Sequence, residues 1–400
     1  MRDTALLQPA LGLTPPWSVS RADFDAEARR LDIQIDFAPG SRFACPSCGK
    51  TDCPAYDTVR KTWRHLSFFQ HQAYLTARVR CGTCGIKTVN VPWARPDSGF
   101  TLLFEAMLMT MIPAMPVAAV ARMAGEHDTR LWRVVHHYVD QGRARTDASG
   151  VTRVAIDETA ARRGHDYITL FADIDQARVL FATEGKGAET VTACAADLAA
   201  HGGDPEAIGE VCIDMSAAFI KGVAENLPEA AVTFDKFHAV KIINDAADQV
   251  RRAGQKHQGL LRGTRYIWLR NPENLSDRQK LTLYSLPTRH LKTARAYQIR
   301  LAFQDLYNQP SDAAGTYLKR WCFWATHSRL KPVINAAHPV KRHWDGILRW
   351  FDSKIANGLI EGINSLVQAA KPKARGYRSS RNLKAIVYLL AGKLDLRLPA

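Results

Sequence analysis

Two C-x-x-C pairs, Cys45-Pro-Ser-Cys48 and Cys81-Gly-Thr-Cys84, lie 32 residues apart, and each is followed by a glycine, Gly49 and Gly85. Each turn aims two thiolates at one point, and the glycine lets the turn tighten. Four such soft ligands close a tetrahedron around one Zn²⁺. Lys61–Phe69 and Ala73–Arg80 read as the strands that join the two knuckles of a zinc ribbon over residues 41–95. Disulfides and a redox dithiol are the competing readings. The first suits an oxidising compartment, and the second needs only one pair. Cys53 stands outside the pattern, and His65 is a ligand only if one of the four cysteines fails. Cys194, Cys212 and Cys322 sit among apolar residues as buried thiols.

A second set of candidates is acidic. Asp157 ends the apolar run Arg-Val-Ala-Ile-Asp, and Asp214 ends Glu-Val-Cys-Ile-Asp. A carboxylate at the end of a buried strand is costly unless a metal or cation compensates it. Two such strand ends side by side, with a third carboxylate, can hold two hard divalent ions ~4 Å apart for in-line displacement at a phosphate. Capping of the next helix is the competing reading for each Asp alone. The third acid is Glu361 in Asn357-Gly-Leu-Ile-Glu361-Gly-Ile-Asn364, where helical spacing puts Asn357, Glu361 and Asn364 on one face. Asp345 and Asp352 are rivals without such flanks, and an exposed surface acid is the plainer reading of Glu361.

The elements that must position these groups follow from periodicity. Val154–Asp157, Tyr167–Asp173 and Arg178–Thr183 read as three strands. A helix Thr190–Ala200, a strand Gly209–Asp214, a helix Ser216–Asn226 and a strand Ala231–Phe234 follow. That order is the order of an RNase H-like core over 149–235. Residues 236–356 read as a helical, tryptophan-rich, basic insertion, and 357–400 as the Glu361 helix and the end of the core. Before the core, within 96–148, a short helix from Pro116 to a turn at Gly125 precedes a longer one, Asp128–Val139, capped by Asp128 or Thr129. Leu131, Val134, Val135 and Tyr138 form its apolar face. This is a helix-turn-helix plan that leaves Arg130 and Arg133 exposed for a DNA groove, although three-helix packing without DNA gives the same pattern. Residues 1–40 remain an N-terminal segment.

The chain of 400 residues carries 54 Lys+Arg against 39 Asp+Glu, a net charge of +15. The excess is concentrated: residues 236–300 hold 14 basic against 4 acidic residues, and 371–384 hold six basic residues and no acid. Lys371, Lys373, Arg375 and Arg378 form a basic arm. Nucleic acid is the partner this favours. No apolar run reaches the ~18 residues of a membrane span, and the first residues lack a signal-peptide plan, so a cytoplasmic protein is expected.

Taken together, the motifs resemble a DDE transposase of the ISL3 type, a family of bacterial insertion-sequence enzymes. The resemblance rests on the two cysteine pairs, Ile156-Asp157-Glu158, Asp214-Met-Ser, Phe234-Asp-Lys-Phe-His-Ala-Val240, Asn357-Gly-x-x-Glu361-Gly-x-Asn364 and Arg375-Gly-Tyr-Arg378, in the family's order over roughly residues 40–390. It implies an α/β multidomain chain whose RNase H-like core is interrupted by an all-α insertion. It also implies Asp157, Asp214 and Glu361 as a catalytic triad for two Mg²⁺ or Mn²⁺ ions, one structural Zn²⁺, and Asp235 and His238 in a supporting or DNA-contacting role. Double-stranded DNA (terminal inverted repeats and target) would be the substrate, handled by a dimer or larger synapse. Leu366 and Gln368 depart from the lysines common in relatives, and Pro372 interrupts the basic run. Two rivals are a non-catalytic regulator derived from a transposase, which would not need three acids in their flanks, and a nuclease that hydrolyses without joining.

Overall fold

Residues 30–37, Arg-Leu-Asp-Ile-Gln-Ile-Asp-Phe, alternate polar and apolar side chains, the period of a half-buried strand. In the computed structural model, which describes residues 3–399 apart from 56–59, 69–70, 78–88, 163–165, 287–290 and 356–357, Leu31, Ile33 and Ile35 are buried accordingly. The chain divides into two compact units, residues 1–138 with 396–400, and residues 139–395.

In the first unit, α1 (Asp3–Ala10) precedes the antiparallel hairpin of β1 (Trp17–Asp25) and β2 (Arg30–Phe37). A two-residue pair, β3 (Arg42–Phe43) and β4 (Cys53–Pro54), follows, and then β5 (Lys61–Phe68) and β6 (His71–Ala77). The sheet order is β1-β2-β6-β5, with β2 and β6 parallel. The N-terminal segment thus shares a sheet with the two strands expected between the cysteine pairs. Trp17, Trp63 and Trp93 pack edge to face in the core, with ring centroids 5.0 and 5.7 Å apart. Three helices follow: α2 (Leu102–Met111), α3 (Val117–Ala124) and α4 (Asp128–Ala144). Gly125 ends α3 in the left-handed conformation (φ +67°) that the tight turn requires. Leu131, Val134, Val135 and Tyr138 are the buried face of α4, as their spacing implies. The N-cap differs from expectation, because His127 precedes the helix and its ring nitrogen accepts the Thr129 N–H at 3.3 Å.

In the second unit, β7 (Arg153–Ala160), β8 (Tyr167–Asp173) and β9 (Arg178–Glu184) form an antiparallel meander. Helix α5 (Ala188–Ala200), β10 (Glu210–Ile213), α6 (Ala217–Asn226) and β11 (Ala231–Phe234) complete a five-stranded mixed sheet of order β11-β10-β7-β8-β9. Strands β7, β10 and β11 are parallel. Strand β7 runs three residues beyond the expected end at Asp157, because Glu158, Thr159 and Ala160 still pair with β8.

The elements from 236 to 355 are all helical among the described residues: α7 (Lys236–Gln255), α8 (Arg265–Leu269), α9 (Asp277–Ser285), α10 (Lys292–Asp305), α11 (Ser311–Thr326), α12 (Lys331–Arg342), α13 (Trp344–Leu348) and α14 (Trp350–Ser353), with short 3-10 turns between them. One apolar cluster joins them to the sheet, from Ile156, Ile213 and Phe234 to Phe303, Trp321 and Ile347. Gly346 sits so close to the sheet that a Cβ there would meet Phe234 Cδ2 at 2.4 Å. Two helices close the chain, α15 (Gly358–Lys373) and α16 (Ser380–Ala391).

Candidate active site

The sheet register brings the acids together. Cys212 pairs with Ala155 and Ile213 with Phe234, so one or two further steps set Asp157, Asp214 and Asp235 abreast, the last two just past the carboxyl ends of β10 and β11 and Asp157 within β7, beyond its pairing with β10. The Asp235 N–H donates to Ile213 O at 2.9 Å, which fixes that alignment. Crevices at this edge of an α/β sheet are where such folds place ligands.

Backbone N–H groups hold one oxygen each of Asp157 and Asp214 and both oxygens of Asp235. Asp157 Oδ1 accepts the Glu158 N–H and Asp214 Oδ1 accepts the Ser216 N–H, at 2.8 and 2.9 Å. Asp235, only 2% exposed, caps α7 through the Phe237 and His238 N–H groups and pairs with His238 Nδ1 at 2.9 Å. Burial, reinforced by the charges of Asp214 and Asp235, pushes Asp157 up to about 6, against the backbone hydrogen bond and the nearby His238. The hydrogen bond to Asp235 raises the His238 pKa, against burial and with help from Asp157 and Asp214. Burial also raises Glu158, with Lys186 opposing it.

Helix α15 runs alongside β7. Asn364 Nδ2 donates to Asp157 Oδ2 at 2.7 Å, Gln368 Nε2 to Thr159 Oγ1 at 2.5 Å, and Lys371 Nζ to Ala160 O at 2.5 Å. Glu361 lies one turn before Asn364 on the same helix and is exposed. Among the described residues, no three His, Cys, Asp or Glu side chains converge closely enough to hold a metal. Like charges resist convergence without a cation between them, and Asn364 fills the near side of Asp157. The donors nevertheless suit a hard divalent ion. Asp157 is a half-buried carboxylate whose charge is incompletely offset, and Asn364 Oδ1 is buried without a hydrogen-bond partner.

The remaining site residues are placed as follows. Cys45 and Cys53 are buried and Cys48 is exposed. The knuckle closes by the Gly49 N–H to Cys45 O bond, with Gly49 at φ +70°. Cys81, Cys84 and Asn357 lie outside the described residues. His65 bonds to Thr101 Oγ1 at 2.9 Å and is held down at about 4 by burial and then by Arg64, so it is a neutral packing group. Arg130 pairs with Glu126 and lies over the Phe100 ring at 4.2 Å, whereas Arg133 is exposed. Lys371, Arg375 and Arg378 line a pocket with Arg162 and Tyr377, and Lys373 is exposed outside it. Cys194, Cys212 and Cys322 are buried thiols.

Sequence reasoning missed Gln368, Arg162 and Glu105. The spacing Glu361, Asn364, Gln368, Lys371 marks one helical face and could have revealed the first. Glu105, fully buried in α2, accepts from Arg95 Nε (2.9 Å), Ser98 Oγ (2.6 Å) and Tyr138 OH (3.2 Å), so it locks the helix-turn-helix unit internally.

Comparison with known proteins gives the family. Residues 154–387, more than half of the chain, match the DDE transposase family model of the ISL3 type, and residues 89–139 match the helix-turn-helix domain of transposase family ISL3. The chain is 26% identical to the transposase for insertion sequence element IS1557 of Mycobacterium tuberculosis, over 98% of this chain and 96% of that protein. It is also 26% identical to the transposase for IS1001 of Bordetella parapertussis, over 94% and 96%. A DDE domain implies divalent-metal dependence, and a helix-turn-helix implies DNA binding. No described helix is long and apolar enough to cross a membrane. With Asp157, Asp214 and Asp235 abreast on adjacent strands and a helix-turn-helix earlier in the sequence, the chain belongs to the ISL3 family of transposases.

Proposed function

We propose that this transposase cuts the ends of its insertion sequence and joins them to target DNA by metal-assisted phosphoryl transfer at Asp157, Asp214 and Glu361, on an RNase H-like core. When bound, two Mg²⁺ or Mn²⁺ ions at these carboxylates would supply an activated water and stabilise the charge on the leaving 3′-oxygen. The observation that carries the reading is the parallel register of β10 on β7, which runs to Cys212–Ala155 and so sets Asp214 level with Asp157, with Asn364 of the Glu361-bearing helix on Asp157 Oδ2.

The other residues act on position and charge. Asn364 orients the Asp157 carboxylate and presents its own Oδ1 to the same space. Asp235 bonds His238 Nδ1 and, with Asp157 and Asp214 nearby, favours the protonated form of that ring, whose N–H groups could face a phosphate backbone. The freed 3′-hydroxyl then attacks a target phosphodiester, with no covalent enzyme intermediate.

In this reading residues 41–95 form a zinc ribbon with Cys45, Cys48, Cys81 and Cys84 as ligands. It selects the terminal inverted repeats together with the helix-turn-helix, through Arg133 and any Arg130 freed from Glu126. Lys371, Lys373, Arg375 and Arg378 track phosphates. Pairing two ends calls for a dimer or larger synapse.

The test combines Mg²⁺, a labelled terminal repeat and a supercoiled plasmid. Wild type should give cut and joined products, and Asp214→Asn should bind the repeat but give neither. Cutting without joining would reduce the protein to a nuclease, and full activity of Asp214→Asn would remove that residue from the chemistry.

A further inference from the structure

The end of α15 and the strand beside it build a pocket that the metal-binding carboxylates leave unused. Ala161 and Arg162, just after β7, form one wall, and Lys371, Pro372, Arg375, Gly376, Tyr377 and Arg378 form the other, around about 640 Å³. Four of the eight lining residues are cationic and none is acidic. Arg375 and Arg378 have no acidic partner among the described residues. The Arg162 guanidinium donates to Arg378 O and so joins the two walls. Arg375 (φ +56°) and Gly376 (φ +88°) are successive left-handed residues that turn the chain back over the end of α15, with the Gly376 N–H on Lys371 O at 2.8 Å.

This lining rejects cations and selects phosphate. The volume lies within the roughly 300–1,000 Å³ typical of pockets that hold a whole small ligand, so a lone phosphate would leave most of it empty. Half-buried Tyr377 and the ring of Pro372 supply flat apolar surface, on which any base can stack. The combination of cations and a ring suits one nucleotide whose base has left the stack, because a paired base keeps its faces covered by its neighbours and cannot lie on Tyr377. Its position is also defined. From Asp157 to Ala161, four strand steps of ~3.3 Å span about 13 Å. From Asn364 to Pro372, eight helix steps of ~1.5 Å span about 12 Å. At ~3.4 Å per nucleotide along a strand, the pocket lies within about four nucleotides of a phosphate held at Asp157.

We infer that this pocket receives one unpaired nucleotide of the DNA end, close to the bond being cut, with its base on Tyr377 and its phosphate among Arg162, Arg375 and Arg378. The inference rests on the reading of DNA ends as substrate and deepens it. A free nucleotide offers the same chemistry from another source. The location beside β7, in line with Asp157, favours the nucleotide of the DNA strand.

The test uses full-length protein without divalent metal and compares two terminal-repeat duplexes by fluorescence anisotropy. One is fully paired, and the other carries mismatches at the four nucleotides nearest the cut. Extruding a base costs unpairing and unstacking energy that the mismatched duplex has already spent, so wild type should bind it at least tenfold more tightly. Tyr377→Ala, and separately Arg375→Ala with Arg378→Ala, should cut that preference below about threefold. Tyr377→Phe, which keeps the ring, should retain it and so controls for folding. Equal affinity of wild type for both duplexes, or a preference that survives both truncations, overturns the inference. So does saturable binding of dTMP or ATP by a protein that does not distinguish the duplexes, which would make the occupant a free nucleotide. Failure to bind either duplex overturns the DNA-end reading itself, whereas equal binding to both overturns only the pocket's role.

Discussion

Asn364→Ala removes the amide that donates to Asp157 Oδ2 at 2.7 Å. A hydrogen bond to a charged acceptor contributes about 1.5–3 kcal/mol net, which corresponds to roughly 10- to 150-fold in an equilibrium or a rate. Loss of a residue that orients a metal ligand typically weakens metal binding or activity by about 10- to 100-fold, so two independent estimates agree. The variant should therefore need about 10- to 100-fold more Mg²⁺ for half-maximal end cleavage, with DNA binding in EDTA within about threefold of wild type. Asn364→Asp keeps the shape but sets another carboxyl against Asp157, and it should be at least as impaired at neutral pH. The assay is single-turnover cleavage of a labelled end across a Mg²⁺ series. A wild-type Mg²⁺ curve for Asn364→Ala would refute the role given to this contact and would detach α15 from the catalytic carboxylates.

Three further outcomes are expected. Asp157 is raised to about 6 in the metal-free protein, so the native state binds more protons than the unfolded one, and stability falls as pH rises from about 4 through 6. At pH 7.5 without metal, Asp157→Asn should thus melt above wild type, by up to about 3 kcal/mol, and a lower melting temperature in calorimetry would contradict this. Glu105→Ala strands Arg95 and Tyr138 in the first unit and should cost about 3–5 kcal/mol in urea unfolding followed by tryptophan fluorescence, whereas a change below 1 kcal/mol would show that the network is not a buried ion pair. Elemental analysis should find one zinc per chain, and Cys81→Ser should lose both the zinc and repeat binding. Intact repeat binding in a zinc-free protein would dismiss the ribbon.

Much of the second unit was legible because its buried strands are short apolar runs. Asp157 and Asp214 both end such runs, and β10 pairs with β7 in the register that sets them together. Asp235 was harder to place, since a residue between a strand and a helix reads first as a cap, and it is a cap. Only the parallel pairing of β11 makes it the third acid in the row. Glu361 was singled out by its flanks, and its exposure matches the plainer reading of it as a surface acid, because carboxylates assemble against their mutual repulsion only around a cation. Gln368 was noted as a departure from relatives, although its bond to Thr159 is part of what aligns α15 with β7. The β1–β2 hairpin carries no motif, and its placement beside β6 depends on strand pairing between distant segments. Local periodicity does not encode that pairing.

The central claim is that Asp157, Asp214 and Glu361, and not the adjacent Asp235 or Glu158, carry the chemistry. Anomalous diffraction from Mn²⁺ in crystals of the protein bound to its terminal repeat tests it most directly. Mn²⁺ peaks about 2.0–2.3 Å from carboxylate oxygens of Asp157, Asp214 and Glu361 are predicted, with α15 shifted to bring Glu361 in. Peaks coordinated by Asp235 or Glu158 with Glu361 still in solvent would contradict the account.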